Sequence, residues 1–448
     1  MKITLINHAC VKIALGDSVI LCDPWLSGPA FNNGWDLMIP TPLSLDAVMA
    51  GVTHIWISHE HPDHFVPKFF IDIAARYATI PVLFQKTRDR RVASFVESRG
   101  FAVTELPDRQ PTTIGNVRVI CGVSEFYDSW LHVSDGSESV LNLNDCAEGD
   151  AAELAAIGKL TGPIGMLLTQ FSYAAWKGGR ANAQFRIEAA QRKLKTIADQ
   201  VSVLKPTYVV PFASFVYFSN VENSYLNDHI NRPADAGVAV ADSGAAPVLL
   251  FPGETWDSDG THDNAKSFAA FDKVYEALGA LPLRPPGESV PLSQLAQEIA
   301  AYRARVFRDN SALLIRLLRR LPGLGAFHPV LIRLTDLATT VSVSVVDGFA
   351  ATPAPPGAED VAMHSGSLAF IFNNPFGYDT LTVNGRFEAT PQGFAKMTKS
   401  LAIGSLNAMG LAVSPSLVMN LKVVLMLTRR LASVVRNMTG AGRAAQGT

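Results

Sequence analysis

Thr53-His-Ile-Trp-Ile-Ser-His-Glu-His-Pro-Asp-His-Phe65 decides the fold. Its first half is an apolar strand and its second half a burst of metal-ligand side chains in the pattern H-x-H-x-D-H. Side chains alternate along an extended backbone, so His59 and His61 share one direction. Asp63 and His64 follow where the chain turns into a helix beginning near Val66. The spacing aims His59 and His61 at one metal ion and Asp63 and His64 at a neighbouring one, which is how two-metal sites are built. The competing reading, a solvated loop that happens to hold three histidines and an aspartate, does not account for the spacing.

Working outward, residues 2–6, 11–15 and 19–22 read as strands with a turn at Gly16-Asp17, ending in Asp23-Pro24-Trp25. His8, in Asn7-His8-Ala9, borders this region and reads as a hydrogen-bonded structural histidine. Downstream, a helix over 66–77 has an apolar face at Phe69, Phe70, Ile73 and Ala74. A strand at 81–84, a helix over 88–99 stopped by Gly100 and a strand at 117–123 follow, an alternation that suits a layered α/β fold. Residues 129–134 and 139–144 form a hairpin through Asp135-Gly136, with Asp145 where the second strand ends; capping the next turn is the alternative use of that aspartate. A buried strand at 165–169 leads into the aromatic loop Gln170-Phe-Ser-Tyr-Ala-Ala-Trp-Lys-Gly-Gly179. A long helix over 181–204 carries Arg186, Arg192, Lys193 and Lys195 on its polar face. The stretch 205–215 reads as the last strand of the sheet.

Across 448 residues, 48% are hydrophobic and 17% charged, with a net charge of -2. That is enough chain for one large domain and one or two smaller ones, and the charge gives no case for nucleic acid. The N-terminus alternates rather than running apolar, so no signal peptide is expected and the expected compartment is the cytoplasm. Four cysteines, Cys10, Cys22, Cys121 and Cys146, contain no C-x-x-C pair. This excludes a disulfide framework, a zinc ribbon and a Rieske cluster, which needs paired Cys-x-His and Cys-x-x-His ligands.

The metal loop, following hairpin strands that end at Asp23, resembles the metallo-β-lactamase superfamily. The resemblance implies an αββα sandwich, a supporting role for Asp23 behind a metal-binding histidine, and a metal-bridging role for Asp145. It also implies a third ligand to the first metal just before the hairpin, a histidine in hydrolases. The matching position is Glu125; His132 competes, but it alternates with Leu131 and Val133 inside the strand. Hydrolases of the superfamily place a final histidine after the last strand, where this chain has Phe212-Ala213-Ser214. His229, in Asn227-Asp-His-Ile, could substitute but reads better as a solvent-facing loop residue. These departures, with Leu141-Asn-Leu-Asn-Asp-Cys146, Thr169-Gln-Phe-Ser-Tyr173, Trp176-Lys-Gly-Gly179 and Pro211-Phe-Ala-Ser-Phe215, resemble the CMP-N-acetylneuraminate hydroxylase-like branch of diiron oxygenases.

That branch implies two irons, dioxygen, a small or nucleotide-linked organic substrate and, without a Rieske domain, a separate ferredoxin and reductase. Tyr173 and Trp176 would line the substrate pocket or pack as aromatic core. The rival enzyme is a dinuclear zinc hydrolase of phosphodiesters, amides or lactones, since zinc accepts the same ligands.

The resemblance covers residues 1–260, the expected metal domain; 261–330 reads as a helical linker region and 331–448 as an α+β module. Residues 233–253 and 281–291 read as Ala-, Gly- and Pro-rich connectors, with helices over 265–278 and 292–321. The second helix carries Arg303, Arg305, Arg308, Arg316, Arg319 and Arg320 among leucines, suiting a core-packed amphipathic helix before a membrane-facing one. Strands are expected at 339–346, 367–372 and 380–387, then helices. Their order and Gly385-Arg-Phe-Glu388 weakly resemble a sterol-carrier-like lipid-binding module. A lipid carrier with a relic metal site is thus a third reading, opposed by the intact metal loop. The apolar stretch 417–427 is interrupted by Lys422 and too short to span a membrane. It suits a core helix, a pocket lid or a dimer contact in a homo-oligomer.

Overall fold

A computed structural model describes residues 1–124, 127–146, 149–321, 323–355 and 357–415. Two seven-stranded sheets carry the first half of the chain. In the first, Lys2–Asn7, Cys10–Leu15 and Ser18–Cys22 form an antiparallel meander that continues in parallel through His54–Ile57, Val82–Gln85 and Val103–Leu106. In the second, Pro111–Ile114, Val117–Val123, Ser129–Ser134 and Ser139–Asn144 are antiparallel. Met166–Gln170, Tyr208–Phe212 and Ala246–Pro247 then add in parallel.

Period-2 patterning packs these sheets together. Ile3, Leu5, Val11 and Ile13 from one sheet share a core with Val119, Leu131, Val133 and Leu141 from the other. The outer face of the first sheet sends Ile6, Ile55, Ile57 and Phe84 against Phe69, Phe70 and Ile73 of helix Pro67–Tyr77. Helices Ala151–Thr161 and Ala183–Leu204 cover the second. The result is the αββα sandwich expected from the sequence. Gly122 has a packing reason: a Cβ there would lie 2.0 Å from the Trp130 ring.

Several expectations need correction. The stretch 205–215 does not close the sheets, because Ala246–Pro247 lies outside it and Thr255–Asp257 pairs with Lys2–Asn7. Residues 233–253 are no mere connector: Pro233–Asp242 is a helix whose small residues let it pack closely, Gly237 lying against Leu249. The expected helix over 292–321 is two, Leu292–Asp309 and Ala312–Arg320. Asn310 Nδ2 turns back to the Val306 carbonyl at 2.7 Å, and Ser311 caps the second helix.

A third sheet has the order Gly348–Ala351, Thr339–Ser344, Val330–Leu334, Val361–Met363, Phe387–Ala389. The strand expected at 367–372 is the buried helix Ser365–Asn373. Most of the strand expected at 380–387 is the helix Gly377–Asn384, ended by Gly385 at φ 65°. Short apolar runs do not distinguish a buried helix from a strand, and tertiary packing of Leu368, Phe372, Tyr378 and Leu381 overrides the β-branched residues here. Arg303 donates to the Val345 and Val346 carbonyls at 2.7 Å, Arg305 to Phe372, and Arg319 pairs with Asp347, so half of the basic set is engaged within this module. Residues 417–427 lie outside the described residues. Among the described residues, no helix is long and apolar enough to cross a membrane.

Candidate metal centre

The carboxyl ends of parallel strands His54–Ile57, Ser139–Asn144, Met166–Gln170 and Tyr208–Phe212 supply the site, the usual place for one in an open α/β sheet. After Ile57 the chain leaves the sheet, and the backbone N–H groups of His64 and Phe65 both donate to the His61 carbonyl, at 3.0 and 2.7 Å. This tight loop turns His59, His61, Asp63 and His64 inward. Asp145 follows a register shift between Asn142 and Asn144, with Asn144 at φ 52°. Such bulges re-aim side chains at strand ends.

Asp23, fully buried at φ 42°, organises the histidines from behind. Its Oδ1 accepts from the Ser58 N–H at 2.7 Å. Its Oδ2 accepts from Ser58 Oγ at 2.7 Å and Asn144 Nδ2 at 2.6 Å, and faces His64 Nδ1 at 3.0 Å. A hydroxyl has one proton, and Ser58 gives its own to Asp23. Ser58 Oγ therefore accepts from His59 Nδ1 at 2.9 Å, leaving His59 Nε2 as a lone pair. By the same logic His64 donates through Nδ1 and presents Nε2 to the site.

The presented atoms converge. His59 Nε2 lies 2.8 Å from His61 Nδ1, 3.7 Å from Asp128 Oδ1 and 4.0 Å from Asp145 Oδ2. His64 Nε2 lies 3.3 Å from Asp63 Oδ2 and 3.7 Å from Asp145 Oδ2. Three overlapping groups, His59–His61–Asp128, His59–His64–Asp145 and His8–Asp63–His64, each keep their ligand atoms within 4.8 Å of one another. His64 Nε2 and Asp63 Oδ1 are buried without a hydrogen bond. A lone pair facing two carboxylates is repulsive unless positive charge sits between them, so the donor set fits divalent metal ions.

Protonation follows the same logic. Burial, with the neighbouring histidines, holds His59 well below its ordinary range. Burial also lowers His61, against the pull of Asp63, Asp145 and Asp379. Both rings are thus neutral, as ligands must be. His64 differs: burial opposes its charge, but Asp63, Asp145 and Asp23 outweigh it and raise its pKa well above the usual value, so in the metal-free chain a proton on Nε2 supplies the positive charge that a metal ion would replace. Burial raises the Asp145 carboxyl, opposed by His64 and assisted by Asp63. Gln170 Nε2 donates to Asp145 Oδ1 at 3.0 Å, and Lys193 Nζ to Gln170 Oε1 at 2.6 Å.

The C-terminal module borders this centre. Arg91 bridges Glu60 of the metal loop at 3.1 Å to the Ala408 carbonyl at 3.5 Å, and its guanidinium lies 5.0 Å from the Phe376 ring. Phe31 packs 5.8 Å from His61, in a loop held by Asn384 and Arg386.

Among the sequence candidates, the structure brings together His59, His61, Asp63, His64 and Asp145, with Asp23 behind them. Glu125 lies outside the described residues. His132 is buried in its strand between the pairing positions Ile120 and Leu141, and His229 ends the 3-10 helix Ser224–His229; among the described residues, neither belongs to a group of metal-ligating size. Tyr173 donates to the Leu226 carbonyl at 2.6 Å from a buried position. Trp176 stacks on Phe387 and Phe394, with centroids 4.9 and 4.6 Å away, and lines a cleft of about 360 Å³ with Arg333, Glu359 and Glu388. Sequence reading missed Asp128, which has no motif around it, and undervalued His8, for which the Asn7-His8 turn between two strands was the available signal.

No family model matches the chain. Among curated proteins it is similar to the cytidine monophosphate-N-acetylneuraminic acid hydroxylase of Mus musculus, 26% identical over 245 residues. The match covers 51% of this chain and 41% of that protein, so the chain spans less than half the length of this relative. Among solved structures it is similar to CmlA, a diiron β-hydroxylase from Streptomyces venezuelae, with TM-score 0.42, 16% identity, and 57% and 53% of the two chains covered. A possible metal-dependent hydrolase from Veillonella parvula gives TM-score 0.40 and 15% identity, with 57% of this chain and 98% of that one covered. With its paired sheets, flanking helices and histidine–aspartate loop, this chain is a metallo-β-lactamase-like αββα sandwich joined to a C-terminal α+β module, and about half of it is similar in sequence to the CMP-N-acetylneuraminic acid hydroxylases.

Proposed function

We propose that the protein is a nonheme diiron monooxygenase that hydroxylates a small or nucleotide-linked organic substrate, with electrons delivered by a separate ferredoxin and reductase. The observation that carries this reading is the carboxylate share of the centre: Asp63, Asp128 and Asp145 gather with His59, His61 and His64. Two histidines with one carboxylate and open positions form the ligand pattern of nonheme iron oxygenases, and His59, His61 and Asp128 match it. The similarity to hydroxylases supports it independently.

His59 and His61 hold one metal with a carboxylate from the 125–128 segment, either Asp128, whose Oδ1 reaches His59, or Glu125. Asp63 and His64 would hold the other, with Asp145 Oδ2 standing between the two sets, 4.0 Å from His59 Nε2 and 3.7 Å from His64 Nε2. Two irons held there would supply the dioxygen-activating redox chemistry of such a hydroxylase, with the external reductase providing electrons and solvent the protons for the second oxygen atom. Asp23, Ser58 and Asn144 fix the histidine tautomers, and Gln170 with Lys193 orients the bridging carboxylate. Phe31 packs against His61 at one side of the centre.

Metal analysis of protein expressed in iron-supplemented medium tests the reading, with optical spectra before and after anaerobic reduction and on readmission of oxygen. About two irons per chain and an oxygen-responsive spectrum are expected. Zinc alone, with phosphodiesterase or lactonase turnover, would overturn the reading in favour of a hydrolase.

A further inference from the structure

We infer that the outer side of the metal loop is the docking surface for the electron donor, and that this donor is a small acidic iron–sulfur protein. The inference rests on the monooxygenase reading above and names where its partner binds.

The loop that supplies the ligands also has residues between them. Glu60 separates His59 from His61, Pro62 separates His61 from Asp63, and Phe65 follows His64. Whereas the ligands turn inward, these three line a separate cleft of about 350 Å³ together with Arg91, Val92 and Phe95 of helix Arg91–Glu97. Phe65 and Phe95 meet edge to face with centroids 5.7 Å apart, and Phe95 is only half-buried. A protein seated there lies one residue along the backbone from a metal ligand. Electrons need that proximity but no open channel, whereas a substrate must touch the metals themselves.

The rim of the cleft is basic. Residues 86–99 hold Lys86, Arg88, Arg90, Arg91 and Arg99 against Asp89 and Glu97, in a chain whose net charge is -2. Arg91 neutralises Glu60 at 3.1 Å and Asp89 at 2.6 Å, and Arg90 pairs with Glu97 and Glu105 at 2.8 and 3.0 Å. Lys86, Arg88 and Arg99 are exposed and, among the described residues, form no ion pair; the Arg99 guanidinium lies 5.1 Å from the Phe95 ring. The basic loop is tied to the metal loop, because Gln85 Nε2 donates to the Ser58 carbonyl at 3.0 Å.

An apolar centre ringed by positive charge complements an acidic protein and steers its approach. Residues 416–448 carry Lys422 and four arginines but no acidic residue, so this chain's own C-terminal stretch has the wrong sign to cover the cleft. Each reduced iron–sulfur carrier gives up one electron and leaves oxidised. Two dockings therefore supply the two electrons that, with two protons from solvent, turn the second oxygen atom of dioxygen into water.

The probe is a plant-type [2Fe–2S] ferredoxin with its reductase. Binding of the oxidised ferredoxin to the full-length protein is measured by titration calorimetry. Anaerobic reduction of the iron-loaded protein is followed by stopped-flow absorption, with dithionite giving the carrier-independent rate. Affinity and ferredoxin-dependent rate should both fall as salt rises from about 0.01 to about 1 M, over which the Debye length shrinks from about 30 to about 3 Å. Lys86→Glu with Arg88→Glu should lower both by at least about tenfold at low salt, leaving iron content, thermal midpoint and the dithionite rate unchanged. Arg316→Glu with Arg320→Glu, the same change of charge on helix Ala312–Arg320, should leave both as in the wild-type protein. An unaffected Lys86/Arg88 variant, equal losses from both pairs, salt-independent binding, or irons that dithionite reduces and ferredoxin does not would overturn the docking surface. Irons that dithionite cannot reduce or dioxygen cannot reoxidise would instead overturn the monooxygenase reading itself.

Discussion

Replacing His132 with leucine should flatten the acid limb of the stability curve. His132 is 1% exposed, both ring nitrogens lack partners, and burial, with Arg118 nearby, pushes its pKa down to about 4. The unfolded chain titrates near 6.5, so above that pH neither state binds the proton and His132 imposes no pH dependence. Between 6.5 and 4 the unfolded state is protonated while the folded state is not, and stability falls with pH. Below 4 both are protonated and the loss is complete. A shift of roughly 2.5 units at 1.36 kcal/mol each gives about 3 kcal/mol. At pH 8 the substitution should lie within about 1 kcal/mol of neutral, because an unpartnered polar ring is exchanged for an apolar side chain of similar size. Urea denaturation of both metal-free proteins from pH 8 to 4 measures the difference directly, other titrating groups cancelling between them. Curves that stay parallel would refute the buried neutral imidazole. Loss of metal from the variant at pH 8 would refute its placement away from the centre.

Asp23→Ala strands four donors at 2.6–3.0 Å and should lower metal affinity by about 10–100-fold, read by competitive chelation; unchanged affinity would show that Asp23 does not orient the ligands. Trp176→Ala removes a ring stacked on two phenylalanines and should cost about 3–5 kcal/mol in denaturation, and a loss below 1 kcal/mol would contradict the packing. Stripping metal with a chelator should lower the thermal midpoint. Free metal at about 100 times Kd adds roughly 2.7 kcal/mol to the folded state, so an unmoved midpoint would argue against metal at this cluster.

What was legible in the sequence was what lies close together along the chain. The alternation His59-x-His61 and the adjacent Asp63-His64 carry their geometry within one loop, and strand periodicity fixed the hairpin Ser129–Ser134 and Ser139–Asn144 to the residue. His8 and Asp128 escaped because their relation to the loop exists only after distant strands have paired. The C-terminal module was misread for another reason. Ser367–Phe372 is apolar on all sides, so it carries no period from which helix or strand could be chosen, and packing made the choice.

The second hydrophobic core draws Trp25, Phe31, Trp35, Tyr173 and Trp176 from the sandwich and Phe372, Tyr378 and Phe387 from the far end of the chain. Five aromatic rings of one lobe thus have their solvent shield encoded some two hundred residues away or more. An ancestor or a chimaera that exchanged this tail for another could not keep the metal lobe soluble unless the newcomer covered the same rings. Because one of them, Phe31, also packs against His61 while its carbonyl accepts from Asn384, a change in the tail's packing surface reaches the histidine–aspartate loop through a single residue.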